Sequence, residues 1–129
     1  AAVRSAQALS QAGDLSKSAK DINGYTFIAS VMSDGVSSDD LRKIAIDLRA
    51  QHSNSVVALI SNNDGKPVLV VAVSDEARAK GVKAGALVKI GSTVLGGGGG
   101  GKDDFAQGGG IDSSKSQDAL TAISNALVG

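Results

Sequence analysis

Apolar positions along the chain change their period several times, and each change marks an element. In "SSDDLRKIAIDLRAQH", residues 37–52, Leu41, Ile44, Ala45 and Leu48 recur at helical spacing, while Arg42, Lys43, Asp47 and Arg49 fall off that stripe. The pattern predicts an amphipathic helix. Ser38 is its expected cap, and Asp39 and Asp40 sit in the first turn, where the helix dipole favours carboxylates. Upstream, "YTFIASVM" is β-branched and aromatic enough for a first strand. Downstream, "SVVALI" and "PVLVVAV" are apolar at nearly every residue, which predicts two strands covered on both faces. Asp64-Gly65, in the "SNNDGKP" that joins them, is a strong hairpin signal.

The later chain alternates short helices with glycine. "SDEARAKG" predicts one or two helical turns stopped by Gly81. "KAGALVKIGSTVL" places Ala84, Leu87, Ile90 or Val88, Gly91 and Val94 at helical spacing, although an internal glycine costs about 1 kcal/mol relative to alanine. "SKSQDALTAISNALVG" offers a capping box from Ser114 to Gln117, then a stripe of Leu120, Ile123 and Leu127. At the other end, Val3, Ala6, Leu9, Leu15 and Ala19 are spaced as the end of a longer helix or helical hairpin, interrupted by Gly13. The expected fold is α/β, a small central β-sheet covered by helices over residues 21–129, preceded by the end of a helical segment over residues 1–20.

Composition narrows the chemistry. The 129 residues suit one domain, and 42% hydrophobic content is enough to close a core. That core must be aliphatic, because Tyr25, Phe27 and Phe105 are the only aromatics. Thirteen basic residues balance thirteen acidic ones, so net charge points to no partner. The absence of cysteine excludes disulfides and thiolate metal sites, and His52 is the sole histidine. No metal or cofactor is expected. No run of about 18 apolar residues exists to cross a bilayer, so no membrane partner is expected. "AAVRSAQALSQAG" lacks the apolar core of a secretory signal, which makes a cytoplasmic setting the expectation. The first residue is not methionine; a piece cut from a longer protein is the reading, with N-terminal processing as the alternative. Asp39/Asp40 and Asp103/Asp104 read as a helix start and a loop edge, not as a catalytic pair. A nucleophilic serine would have only His52 as its base, without an elbow motif, so catalysis by this segment alone is not expected.

The densest signal is "GGGGGGKDDFAQGGG", Gly96 to Gly110. A linker should separate two self-sufficient units, yet only one helix follows, and an isolated helix of that length is marginal in water. The stretch therefore belongs inside the domain, with Phe105 and Ala106 anchoring it to the core as a short strand. From Arg78 the chain carries Lys80, Lys83, Lys89 and Lys102 with no acidic residue between them. Glycines let backbone N–H groups approach a phosphate closely, and a neighbouring lysine adds a point charge. The competing reading makes these lysines a solvated helix face. The P-loop pattern fails because Asp103, not a hydroxyl, follows Lys102. A dinucleotide fingerprint fails because no βαβ unit encloses the run.

This stretch resembles the G-G-x-G-G-G-[KR]-x-D-x-A-Q-x-G signature of the DHHA1 family, the domain at the C-terminus of alanyl-tRNA synthetases and at the end of DHH phosphoesterases. The resemblance extends over about residues 15–129, through the strand, the D-x-L-R helix, the V-V-x-L strand, the G-K-hydrophobic strand and the G-x-x-A-G helix. Two departures stand out. Lys102 replaces the histidine common in phosphoesterase members, and Gly98 stands where many synthetases have arginine. The resemblance implies a non-catalytic domain that grips the outer corner of tRNA, where the D and T loops meet. It further implies a tether that brings alanine tRNA to the aminoacylation and editing domains of a parent enzyme, with a possible homodimer through the N-terminal helical segment. On that reading the expected RNA-facing set is Gly96, Gly97, Gly98, Gly99, Gly100, Gly101, Lys102, Gln107, Gly108, Gly109 and Gly110, with Lys83 and Lys89 as second-line phosphate contacts. Bulky residues at Gly99 and Gly100 are expected to weaken binding without loss of fold. An assembly module without RNA contact and a phosphoesterase accessory domain are the alternatives.

Overall fold

Two strands that are apolar at every step need partners on both faces, and the architecture supplies them. The computed structural model describes residues 20–22, 24–32, 36–52, 54–63 and 66–128. Strands β3 (Ser55–Asn63) and β4 (Lys66–Val73) pair antiparallel from Val56↔Val73 to Asn63↔Lys66. The expected Asp64-Gly65 turn between them lies outside the described residues. Val56, Ala58, Ile60, Leu69, Val71 and Val73 point to one face; Val57, Leu59, Val70 and Ala72 point to the other. β2 (Tyr25–Val31) runs parallel to β3, and α1 (Ser38–Gln51) makes the crossover. β1 (Lys20–Ile22) pairs antiparallel with β2, so Lys20 opens a strand instead of closing a helical segment. The rest of the helical segment expected over residues 1–20 lies outside the described residues.

Beyond β4 come α2 (Asp75–Ala79), α3 (Ala84–Val94), β5 (Gly99–Gly101), β6 (Phe105–Gly109) and α4 (Ser116–Val128). Among the described residues the sheet has six strands in the order β1-β2-β3-β4-β6-β5, which leaves β5 at an edge. Helix α1 covers one face, burying Leu41, Ile44, Ala45 and Leu48 completely. Helices α3 and α4 cover the other through Leu87, Val88, Ala119, Leu120, Ile123 and Leu127. Of the two candidates on α3, Val88 enters the core while Ile90 stays 38% exposed.

Helix ends follow local chemistry, with two corrections. Ser37, not Ser38, caps α1; its hydroxyl accepts the Asp40 N–H at 3.2 Å from extended backbone, and Ser38 is already helical. Ser114 does not open α4 either. Asp112 accepts the Ser114 N–H at 3.0 Å and starts a 3₁₀ turn, Ser113–Lys115, that runs into α4. The Ser114 hydroxyl, seconded by that N–H, holds the Asp112 carboxyl below the ordinary carboxylate range. Gly81 terminates α2 as expected, at φ +98°. Among the described residues no helix is long and apolar enough to cross a membrane.

Candidate nucleic-acid interface

Gly96 to Gly110 folds as part of the domain, and its glycines divide by what a side chain would meet. Gly96, at φ +83°, ends α3. Its N–H donates to Thr93 O at 3.2 Å and the Gly97 N–H to Ser92 O at 2.9 Å, the paired bonds that close a helix on a left-handed residue. Gly99, Gly101 and Gly108 form the underside of the β5–β6 hairpin against α3. A Cβ at Gly99 would strike Gly108 Cα and approach Val88 Cγ1 to 2.8 Å. At Gly101 it would meet Ala106 Cα at 2.7 Å, and at Gly108 it would strike Ser92 Oγ. Gly97, Gly109 and Gly110 are closed off by the backbone of Gly109, Pro67 and Leu95 respectively. In this run, Gly98 and Gly100 have nothing among the described residues within 4 Å of that position. Gly99 therefore departs from the expectation that it tolerates bulk: it packs, whereas Gly100 is open.

Register decides the opposite face. Gly100 pairs with Gln107, and both lie on the side of the hairpin that looks toward α1. Phe105, two residues before Gln107, packs its half-buried ring against the α1 layer, while Ala106 is buried on the α3 side. The expected anchoring of the stretch by Phe105 and Ala106 is thus what the structure has. Arg42, Ile46 and Arg49 of α1 close a groove of about 450 Å³ over Gly100, Lys102, Phe105 and Gln107. Arg49 reaches across the groove to the hairpin turn: its Nη1 donates to Asp104 O at 2.9 Å and lies 3.9 Å from the Asp104 carboxylate. Arg42 lies over the Phe105 ring, 5.5 Å from its centroid.

The other lysines are distributed around the hairpin and are not gathered on it. Lys102 is exposed on the groove rim. Lys83 flanks the start of α3 and lines a separate hollow beside Tyr25, Lys80, Ala86 and Ile90, on the face away from α1. Lys89 is exposed on α3, about one helical turn after Gly85, which packs against the Gly101 carbonyl. Sequence reasoning missed Arg42 and Arg49. Their signal was present as an i, i+7 pair on the polar side of α1 with Ile46 between them, but only the crossover brings that side to the glycine hairpin.

On the open edge, Gly109 N–H donates to Gly98 O at 3.3 Å and Lys102 N–H to Phe105 O at 3.0 Å. Antiparallel alternation then turns the peptide groups of Gly99 and Gly101 outward, away from β6. The arrangement offers unpaired backbone N–H groups and flanking cations to an anion, and no group of three or more His, Cys, Asp or Glu among the described residues that could hold a metal.

The chain is similar to known proteins over most of its length. Residues 24–129 match the model of the DHHA1 domain family. The chain is 40% identical over 130 residues to the alanine–tRNA ligase of Thermobifida fusca (strain YX), a match covering 98% of this chain and 15% of that relative. It therefore spans about one seventh of the length of the curated relatives it matches. Its fold matches the C-Ala domain of Aquifex aeolicus alanyl-tRNA synthetase with a TM-score of 0.80 and 32% identity, covering 86% of this chain and 98% of that one. RecJ from Thermus thermophilus shares the fold at a TM-score of 0.64 and 13% identity, over 98% of this chain and 18% of that one.

Proposed function

The chain belongs to the DHHA1 domain family, and from that premise we propose that it is the C-terminal tRNA-binding domain of an alanine–tRNA ligase. It grips the outer corner of the tRNA and tethers it to the aminoacylation and editing domains of the parent enzyme, contributing no reacting group itself. The observation that carries this reading is the glycine hairpin: packed on its α3 side, uncovered at Gly98 and Gly100, and bordered by Lys102, with Lys89 exposed on α3. Backbone that open admits a phosphate strand closely, and the cations raise its local concentration. With three aromatics in the chain, of which Tyr25 and Phe27 are buried, there is no platform for stacking splayed bases. Recognition of a folded RNA by shape and backbone suits this surface better. Within the glycine stretch, Gly98, Gly100 and the outward edge of Gly99 and Gly101 are the RNA-facing positions in this proposal, with Lys102 and Gln107 beside them.

An assembly module, in which the glycines only permit close packing, predicts instead a dimer in solution and no RNA affinity. The test is binding of this chain to alanine tRNA, to a second tRNA and to a short RNA duplex, at about 50 mM and about 200 mM salt. Binding to both tRNAs but not to the duplex, weakening with salt, is expected. Absence of binding at the lower salt overturns the proposal and leaves the hairpin as packing.

A further inference from the structure

Three cations line the groove between α1 and the glycine hairpin, and they are not equivalent. Arg49 is committed to the protein, bonded to the Asp104 carbonyl at 2.9 Å and paired with its carboxylate. Asp104, the one acidic residue of the groove among the described residues, thus has Arg49 as its partner. Lys102 sits on the hairpin with a flexible stem. Arg42 is exposed and lies over the Phe105 ring, and its guanidinium has no hydrogen bond or ion pair among the described residues.

We propose that Arg42 is a phosphate-contacting residue of this domain, held over Phe105 so that its guanidinium takes a phosphodiester of bound RNA in the groove beside Gly100 and Lys102. The inference rests on the tRNA-binding reading and deepens it. A guanidinium supported by an aromatic ring keeps its N–H donors directed outward and loses less freedom on binding than an unsupported one. Its donors match two phosphate oxygens at once, which an ammonium cannot do. The floor at Gly100 has no atom within 4 Å of a Cβ position, so an RNA strand can lie close to the backbone there. Phe105 packs against the α1 layer with Arg42 over its ring, which makes it a support for the cation and not a surface for a base. Arg49 is a positioning residue: it fixes the turn that carries Lys102.

The test is the salt dependence of tRNA binding by the full chain and four variants, with thermal melting of each as a folding control. Arg42→Ala is expected to weaken binding about tenfold and to reduce the slope of log affinity against log salt by about one unit. Arg42→Lys is expected to keep the slope, because the charge remains, but to bind several-fold more weakly. Phe105→Leu is expected to behave like Arg42→Lys, since it removes the support and keeps the charge. Lys43→Ala removes a charge from the next position of α1, outside the groove, and is expected to leave the slope unchanged. An unchanged slope in Arg42→Ala, an equal drop in Lys43→Ala, or wild-type affinity in Arg42→Lys would each overturn the assignment while leaving tRNA binding intact. Failure of the unaltered chain to bind tRNA at all would remove both readings, so the two failures are told apart by the parent measurement.

Discussion

At Gly99 and Gly100 two neighbouring residues of the same type do opposite work. Gly99 faces Val88 and the Gly108 backbone across the narrow gap of an antiparallel pair, so an added methyl must displace main chain. Gly99→Ala should lower stability by about 1–3 kcal/mol, the usual cost of overpacking, as read from denaturant midpoints. Gly100→Ala should stay within about 0.5 kcal/mol of the parent, since nothing lies within reach of its Cβ. Its methyl enters the groove, so tRNA binding should fall in this variant while the melt does not. Equal destabilisation by both changes would mean that the hairpin is not packed on α3 as described. The glycines were legible as a site from composition, but their division was not. A polyglycine run carries no facing information, and the two-residue alternation acquires meaning only when α3 occupies one side.

At the scale of elements, caps and turns decide where the functional side chains stand. Helix α1 carries Arg42 and Arg49, and its first turn is held by the Ser37 hydroxyl on the Asp40 N–H. Ser37→Ala should cost about 1 kcal/mol in chemical denaturation, whereas Ser38→Ala should cost less than half of that. A larger loss at Ser38 would reverse the cap assignment. The apolar stripe of Leu41, Ile44, Ala45 and Leu48 was readable without structure, because burial of one helix face imposes its own period. The cap was not, because two serines in tandem satisfy the same rule and only the backbone angle selects between them. The same ambiguity shifted the start of α4 from Ser114 to Asp112, whose carboxylate reaches the Ser114 N–H and opens the turn earlier. Val88 and Ile90 flank the stripe of Ala84, Leu87 and Gly91 from opposite sides, and the packing of α3 on β6 chose Val88.

At the scale of the whole molecule, β3 and β4 belong to both apolar layers at once. Val57 and Leu59 face α1 while Val56, Ala58 and Ile60 face α3 and α4, so neither layer can open without exposing the other's strands. We therefore expect one cooperative transition. Tyr25, the single tyrosine, is buried in the α3–α4 layer, and its fluorescence should follow the same unfolding curve as the far-UV dichroism of the sheet and helices. Separated curves would show the two layers to be independent units.

The chain alone determined the α/β class, because strands that are apolar at every residue demand helices on both faces. It also determined the buried stripe of α1, the stop at Gly81 and the inclusion of the glycine stretch within the domain, each from local pattern and helix physics. Tertiary structure decided the rest. The parallel crossover between β2 and β3 turned the polar side of α1 toward the hairpin, which put Arg42 and Arg49 opposite Gly100, while the start of α3 carries Lys83 on a different face. Arg49 and Asp104, far apart in the chain, meet in that groove, and long-range pairing of this kind leaves no periodic trace along a single chain.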